Sequence, residues 1–480
     1  MARNLSRFIR QTSGKPRRPS RHDMDMTEGS LLPKIIAFSG PLMLTGILQL
    51  LFNAADIIVV GNFAKDGTSA LAAVSSTTAL INLLVNVFMG LSVGASVAVA
   101  KAWGARDSGA ISRAVHTAIT VAVISGFIVG LVGFVFAKDL LILMGNPDET
   151  RNLAALYIKI YFVGMPVNML YNFGAAVLRA TGDTKRPLYY LTISGVVNVC
   201  LNLLLVIVFG MSVDGVAIAT ISSQAVSAAL VILCLRRSHG PTHLDFKKLG
   251  IDRKTLLEIV RVGLPAGLQG SLFSISNVMI QSSINSFGSF VMAGSGASSS
   301  LEGFVYMAMN AVYQAALTFS SQNWGAGKLD RVKRVMWLCL GTVTVIGLAL
   351  GLLVWALGRP LLSVYIQDGS ENFDAVLEAG LVRMSVILPT YWICGMMDVM
   401  VGQLRGVGCS IVPMVVSLTG VCVFRILWIA TVFQVHHTPE ILYLSYPATW
   451  AVTFAAHLIS WYVVSPKLFR RRREDLAGQE

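Results

Sequence analysis

Long apolar runs alternate along the chain with short polar connections, and each run is of bilayer length. Twelve such segments stand out, at about 34–62, 71–100, 114–137, 153–178, 188–210, 213–235, 259–284, 290–320, 335–357, 381–404, 412–434 and 443–465. At 1.5 Å per residue, about 20 apolar residues cross the roughly 30 Å hydrocarbon layer. The pattern predicts an all-α integral membrane protein of twelve transmembrane helices. Within the first segment the run PLMLTGILQLLFNAADIIVVGNF, 41–63, carries one carboxylate, Asp56, about two turns before its far end. An unpaired carboxylate at the middle of a membrane helix costs about 2.5 to 3.5 kcal/mol on the lenient insertion scales, so a chain that keeps one supplies a partner, a proton or a cation. Asp56 is therefore the first candidate for ion handling.

Composition agrees: of 480 residues 54% are hydrophobic and only 13% charged. The net charge of +13 lies in short runs between apolar segments, not on one polar face, which argues against nucleic acid and makes the cations topology signals. With the N-terminal tail in the cytoplasm, 31 of the 38 Lys and Arg fall on that side and six on the other, leaving Arg425 within a helix. This is the positive-inside pattern, and it predicts a multi-pass protein of the cell (plasma or inner) membrane with both termini cytoplasmic. Residues 1–33 are expected to be a disordered basic tail, neither a cleaved signal peptide nor a span, and 466–480 a second cytoplasmic tail. The six cysteines show no CxxC or Cys/His spacing, so neither a disulfide nor a metal site is expected.

The chain repeats itself. WGARDSGAISRAV at 103–115 answers WGAGKLDRVKRVM at 324–336, and LRATGDTKRP at 178–187 answers LRGVGCSIVP at 404–413, at offsets of 221 and 226 residues. Two matches at nearly one offset imply two homologous six-helix halves, 34–235 and 259–465, joined by a polar linker at 236–258. Six helices return the chain to its starting side, so the repeats are parallel, with a substrate path expected between them. Both motifs read as cytoplasmic-loop structure, their glycines allowing tight turns and their arginines fixing orientation.

Helical rise places further polar residues near Asp56. Asn198 and Asn202 share one face of helix five, about 12 to 18 Å below its outer end, and Thr220 lies about 10 Å into helix six, so groups from three helices converge on one layer. In the second half Glu302 and Asp398 are acids inside apolar segments, and Asn277, Gln281 and Asn285 line one face of helix seven. Tyr306 and Tyr391 are of a type that stacks on aromatic cations. Arg425 is expected to pair with an internal acid or carbonyl. With the buried ionisable groups read as mainly acidic, the cargo expected is cationic.

NAADIIVVG in helix one, WGA after helix two, LRATGDTKRP after helix four and LRGVG after helix ten together resemble the multidrug and toxic compound extrusion (MATE) family, over about 31–465. The similarity is greatest to the branch that includes DinF- and MepA-type bacterial exporters. It implies a V-shaped bundle of two lobes, alternating access, and export of cationic amphipathic compounds driven by inward proton or sodium movement. The family's helix-one aspartate falls on Asp56, its bend-forming proline on Pro41, its helix-five pair on Asn198 and Asn202, and its helix-six threonine on Thr220. Asn202 stands where the family has an acid, removing one negative charge from a possible sodium site. The family's C-lobe acids likewise have no counterpart at about Ser274 and one turn before Asp398, which puts a C-lobe sodium site in doubt.

The expected cycle has Asp56 take up and release a proton, with helix one bending at Pro41 where a backbone donor is missing. No resident cofactor is expected, only H+ or Na+ as coupling ion, with small-molecule cationic drugs or toxins as cargo, the lipid bilayer as surroundings and a monomer as the working unit. The nearest alternative is a flippase or exporter of lipid-linked oligosaccharide or polysaccharide, which needs a wide, cationic central cavity. A membrane-embedded enzyme is more distant, since the chain carries no HExxH, GxSxG, GxxxxGK[ST] or DDxxD motif.

Overall fold

A computed structural model describes residues 24–63, 67–143, 148–366 and 372–478. Among these residues every regular element is helical. The long stretches are α1 (Leu31–Phe63), α2 (Gly67–Gly104), α3 (Ser108–Val135), α4 in two arms (Asp148–Val163 and Met165–Ala180), α5 (Lys185–Val208) and α6 (Val213–Arg237). The second half repeats the series as α7 (Arg253–Asn285), α8 (Ser289–Gly325), α9 (Leu329–Ala356), α10 (Phe373–Gly406), α11 (Ile411–Val435) and α12 (Pro439–Ala477). The arms of α4 meet at 49°, where Pro166 removes a backbone donor. α5 and α11 each open into a π-helical turn, Leu203–Val208 and Leu418–Val423, so the repeat extends to a local irregularity that no sequence motif announced.

Twelve apolar spans were expected. Among the described residues nine helices are long and apolar enough to cross a membrane, or ten when the arms of α4 count as one span. α7 and α8 have the length but not the composition, because their buried faces carry Gln269, Ser271, Ser276, Ser295, Ser298 and Glu302. The helices also overrun the apolar windows, since hydropathy sees only the part that lipid surrounds. α7 begins at Arg253, capped by the Asp252 carboxylate accepting from the Thr255 amide at 2.9 Å. α12 continues as helix through KLFRRRR, with Phe469 tilted against Trp324 at 5.8 Å and Arg472 donating to the Gly325 carbonyl at 3.0 Å, so this stretch is not a free tail. The linker shrinks to 238–252 and docks on α3, through Leu244, which is buried, and the Asp245 amide at 3.1 Å from His116 Nε2.

Two apolar cores result. One is built from α2 to α6, around Val115, Ile119, Phe162 and Phe173. The other combines α8, α9, α10 and α12 with the first part of α1, whose Leu31, Ile35, Phe38 and Leu42 lie inside it. Phe38 meets Phe319 edge-on at 5.7 Å. Beyond Pro41 the same helix changes allegiance: Phe52 fills the space left by Gly195 on α5, and Asp56 reaches Asn202. α1 thus belongs to the C-lobe core at one end and to the N-lobe at the other.

The lobes close on each other at the end of the bundle that carries the basic loops. Gly90 and Gly94 of α2 face Gly263 and Gly267 of α7 so closely that a Cβ on any of them would overlap the opposing backbone. Gly104 and Gly325, the central residues of the two WGA motifs, lie against the backbones of Gln322 and Lys101 in the same way. The motif glycines therefore serve the approach of the two repeats at their axis, not a tight turn. The expected tail, 1–33, divides at the described residues: 1–23 lie outside them, while 24–30 form an ordered strap across the closed end. The Met24 amide donates to Thr181 O (3.2 Å) and the Met26 amide to Gln322 Oε1 (3.3 Å), Arg106 reaches Asp25 (3.1 Å) and Glu28 (2.9 Å), and Lys328 donates to Thr27 O (2.9 Å). Asp25 and Glu28 set acids against Arg106, Lys328 and Arg331, and Met26 is fully buried between the lobes, which is why a stretch read as tail is held.

Candidate functional site

Asp56 stands in the half of α1 that faces α5. Its Oδ1 accepts from Asn202 Nδ2 at 2.5 Å, and the same amide lies 3.3 Å from Asn198 Oδ1. Both asparagines are buried, at 5% and 1% exposure, and Asn202 Oδ1 has no hydrogen-bond partner. The π turn of α5 starts at the next residue, Leu203. Three of the four residues expected to converge do meet. Thr220 is the exception: its hydroxyl donates to the Val216 carbonyl of its own helix at 2.9 Å and joins none of the cluster's bonds. Tyr157, stacked on Tyr161 at 6.1 Å, lies within electrostatic reach of Asp56, and no sequence signal points to it because it sits on the arm of α4 before the bend. Pro41 falls where α1 passes from one core to the other, and its carbonyl accepts from Thr45 Oγ1 at 2.7 Å. The cluster can hold a proton on a carboxylate whose neighbours are neutral amides; among the described residues no cation pairs with Asp56.

In the C-lobe, Glu302 and Arg425 are placed differently from the expectation. Glu302 is not a free acid facing a cationic cargo: Arg383 Nε and Nη2 donate to its two oxygens at 2.7 and 2.8 Å, and Ser298 adds a third bond at 3.0 Å. Arg383 lies at the edge of the apolar segment 381–404, but α10 carries it inside the bundle, where it is 5% exposed. Among the described residues Arg425 pairs with neither acid nor carbonyl; it lies 4.3 Å over the Tyr446 ring and donates to Thr449 Oγ1 at 3.1 Å. Asp398 interacts with Tyr306 and lies in the field of Arg405. Tyr391 is stacked on Trp450 at 5.2 Å. Asn277 and Gln281 are exposed on the outer part of α7, where Gln281 bonds Asn285 at 3.0 Å, and Ser274 accepts from Asn86 Nδ2 of α2 at 3.2 Å.

A second polar site is built from the two LR motifs, whose sequence reads as loop. Arg179 and Arg405, the arginines of the two LR motifs, lie on α4 and α10 and both line a chamber of about 220 Å³ between the lobes. Arg405 is 6% exposed, so the interior holds arginines as well as acids, and the expected acidic excess is not present among the described residues.

Two parallel six-helix repeats around a common axis, an ionisable cluster inside one lobe and a chamber where the lobes meet define a membrane transporter. The chain belongs to the MATE family: the MatE family model matches residues 41–204 and 265–430. It is similar to the probable multidrug resistance protein YoeA of Bacillus subtilis, 28% identical over 425 residues that cover 87% of this chain and 90% of that one. The multidrug export protein MepA of Staphylococcus aureus is 22% identical over 371 residues, 77% of this chain and 80% of its own, in keeping with the MepA-like branch. The fold matches that of an outward-facing multidrug resistance MATE family transporter with a TM-score of 0.84 at 18% identity, covering 95% of this chain and all of the other.

Proposed function

We propose that the protein is a multidrug exporter of the cell membrane, with both termini in the cytoplasm, driven by inward movement of a proton through Asp56. The observation that carries this reading is the Asp56–Asn202–Asn198 cluster, bonded at 2.5 and 3.3 Å, on a helix whose other end belongs to the opposite lobe. A proton on Asp56 cancels the charge that the Asn202 amide solvates. α1, weakened at Pro41, then takes a second bend, and because Leu31 to Leu42 are embedded in the C-lobe core the bend changes how the lobes meet. One proton inward for one monovalent cation outward moves no net charge, so only the pH difference drives it, at about 1.4 kcal/mol per unit. Sodium is the less well supported ion. The cluster offers one carboxylate, and the Thr220 hydroxyl is turned to its own helix.

Multidrug export is supported by the relatives named for it, and cationic amphipathic compounds remain the first cargo to try. The test uses purified protein in liposomes loaded with a fluorescent cationic dye, with pH and sodium gradients imposed separately. Dye movement driven by pH alone and absent in Asp56→Asn is the expected result; full transport by that variant rules the reading out. Movement of lipid-linked sugar is the second reading, favoured by the arginines of the chamber, although about 220 Å³ admits a head group and not a sugar chain.

A further inference from the structure

We infer that the chamber between the lobes is a binding site for the phosphate group of an organic phosphate, held by Arg179 from one repeat and Arg405 from the other. The two arginines occupy equivalent places in the LR motifs, and the internal symmetry brings both to the one chamber. Around them Asn86, Ser92, Ser96 and Gln314 add neutral donors, while the remaining lining is apolar or glycine.

What marks this as a ligand site is the state of the guanidinium groups. Arg405 donates Nη1 to Tyr313 Oη and Nη2 to Gln269 Oε1, each at 2.9 Å, which fixes the fork. Its Nε and that of Arg179 are both buried without a hydrogen-bond partner. Among the described residues neither arginine is in an ion pair. The acid of the lobe interior within electrostatic reach of Arg405 is Asp398, two turns away on α10 and engaged with Tyr306; His457 is also within that reach, and Tyr171 stands beside Arg179. Elsewhere in the bundle Arg383 is paired with Glu302, and Arg425, whose Nε is likewise unsatisfied, lies over the Tyr446 ring and does not line the chamber shared by the two lobes. Here two cations face one chamber without an ion pair among the described residues, and a buried charge is stable only when paired and hydrogen-bonded.

A phosphate group suits this geometry better than a carboxylate. A single arginine fork satisfies a planar carboxylate, whereas a tetrahedral phosphate presents oxygens to two guanidinium groups arriving from opposite sides. The chamber has room for several waters at about 30 Å³ each, enough for a hydrated head group. Because each lobe contributes one arginine, the grip is complete only while the lobes are closed at this end, so the ligand favours the closed arrangement by its differential affinity.

The test is equilibrium binding to purified full-length protein in detergent of three probes of one shape: 1-naphthyl phosphate, 1-naphthol and 1-naphthyl-trimethylammonium. The phosphate is expected to bind at least tenfold tighter than the other two and to weaken as salt rises. Arg179→Gln and Arg405→Gln should each lower phosphate affinity about tenfold or more and leave naphthol unchanged, with Arg405→Lys intermediate. Ser96→Glu, which places a carboxylate in the chamber, should compete with the phosphate and lower its affinity to a similar extent even if the arginine variants do not fold. Equal binding of the phosphate and the ammonium probe by the wild type, or wild-type phosphate affinity in folded Gln variants and in Ser96→Glu, overturns the proposal. Repeating the assay in phosphatidylcholine vesicles with and without phosphatidic acid identifies the source. Displacement by the lipid assigns a lipid phosphate, and its absence a free organic phosphate, each with the site intact. Binding needs no gradient, so failure here is distinguishable from failure of proton-driven export.

Discussion

Glu302 on α8 and Arg383 on α10 form a closed pair, two hydrogen bonds of 2.7 and 2.8 Å between residues that are each 5% exposed. Ser295 and Ser298 satisfy further atoms of the pair, and the Tyr443 and Tyr446 rings lie 5.5 Å from the guanidinium. The pair joins α8 to α10, and its energetics follow from burial. Glu302→Gln or Arg383→Met alone leaves an uncompensated charge or donor set and should destabilise the C-lobe by about 3–5 kcal/mol, whereas Glu302→Leu with Arg383→Met should recover most of that loss. Thermal unfolding of the three variants in detergent decides it; additive losses in the double variant would contradict the pairing.

Asn202→Asp should change the coupling ion. The substitution puts a second carboxylate oxygen where an amide now stands 2.5 Å from Asp56, and two acids with Asn198 make a better oxygen shell for a hard monovalent cation. Sodium-stimulated dye efflux, absent in the wild type under a proton-driven regime, is the expected gain. No sodium response in the folded variant would show that the shell cannot close without Thr220.

Closure of the lobes rests on glycine. Gly94→Val must collide with the Ile259 carbonyl, so the variant should populate the arrangement open at the basic end. Labelling of half-buried Cys409, read by peptide mass, should accelerate about tenfold on the principle that a shift of about 1.4 kcal/mol is tenfold in population. Gly40→Ala, which meets nothing within 4 Å, is the control and should leave the rate unchanged.

The strap has an acid limb. Burial pushes the Asp25 carboxyl up, but bonds from the Thr27 hydroxyl and amide and the Arg106 guanidinium outweigh it and hold the group below the usual carboxylate range. A depressed carboxylate contributes stability that is full above its ordinary value of about 3.9 and is lost as pH falls through the folded value. At neutral pH the strap is therefore held. Asp25→Asn should speed hydrogen exchange of the Met26 and Thr27 amides several-fold at pH 7, with the difference from wild type vanishing in strong acid.

The all-helical membrane fold, the repeat and the family were legible in the sequence because each is written in long-range regularities: apolar length, charge asymmetry and a fixed offset. Asp56, Asn198 and Asn202 were legible too, since polar residues inside a lipid-length run stand out and helical rise sets their depth. What stayed hidden lay at the ends of the runs. Arg179, Arg383 and Arg405 sit where hydropathy falls off, the first and last just beyond an apolar segment and Arg383 at the edge of one; only the overrun of the helices draws them inside. Glu302 was visible but its partner was 81 residues away, and no local pattern reports such a pair. Thr220 shows the opposite error, with the right depth but its hydroxyl satisfied by the carbonyl four residues before it.

The placement of α1 bears on modularity. Duplication of a six-helix unit suggests two parts, each able to fold alone, yet the stretch from Leu31 to Leu42, which belongs to the first half in sequence, completes the core of the second. A C-terminal fragment would present an unfilled apolar seat beside Phe319, and an N-terminal fragment an apolar helix end without one. The seam between the repeated sequences and the seam between the packed cores do not coincide. Neither half is therefore a self-sufficient unit of assembly, and fragments cut at the linker should insert productively only when they are made together.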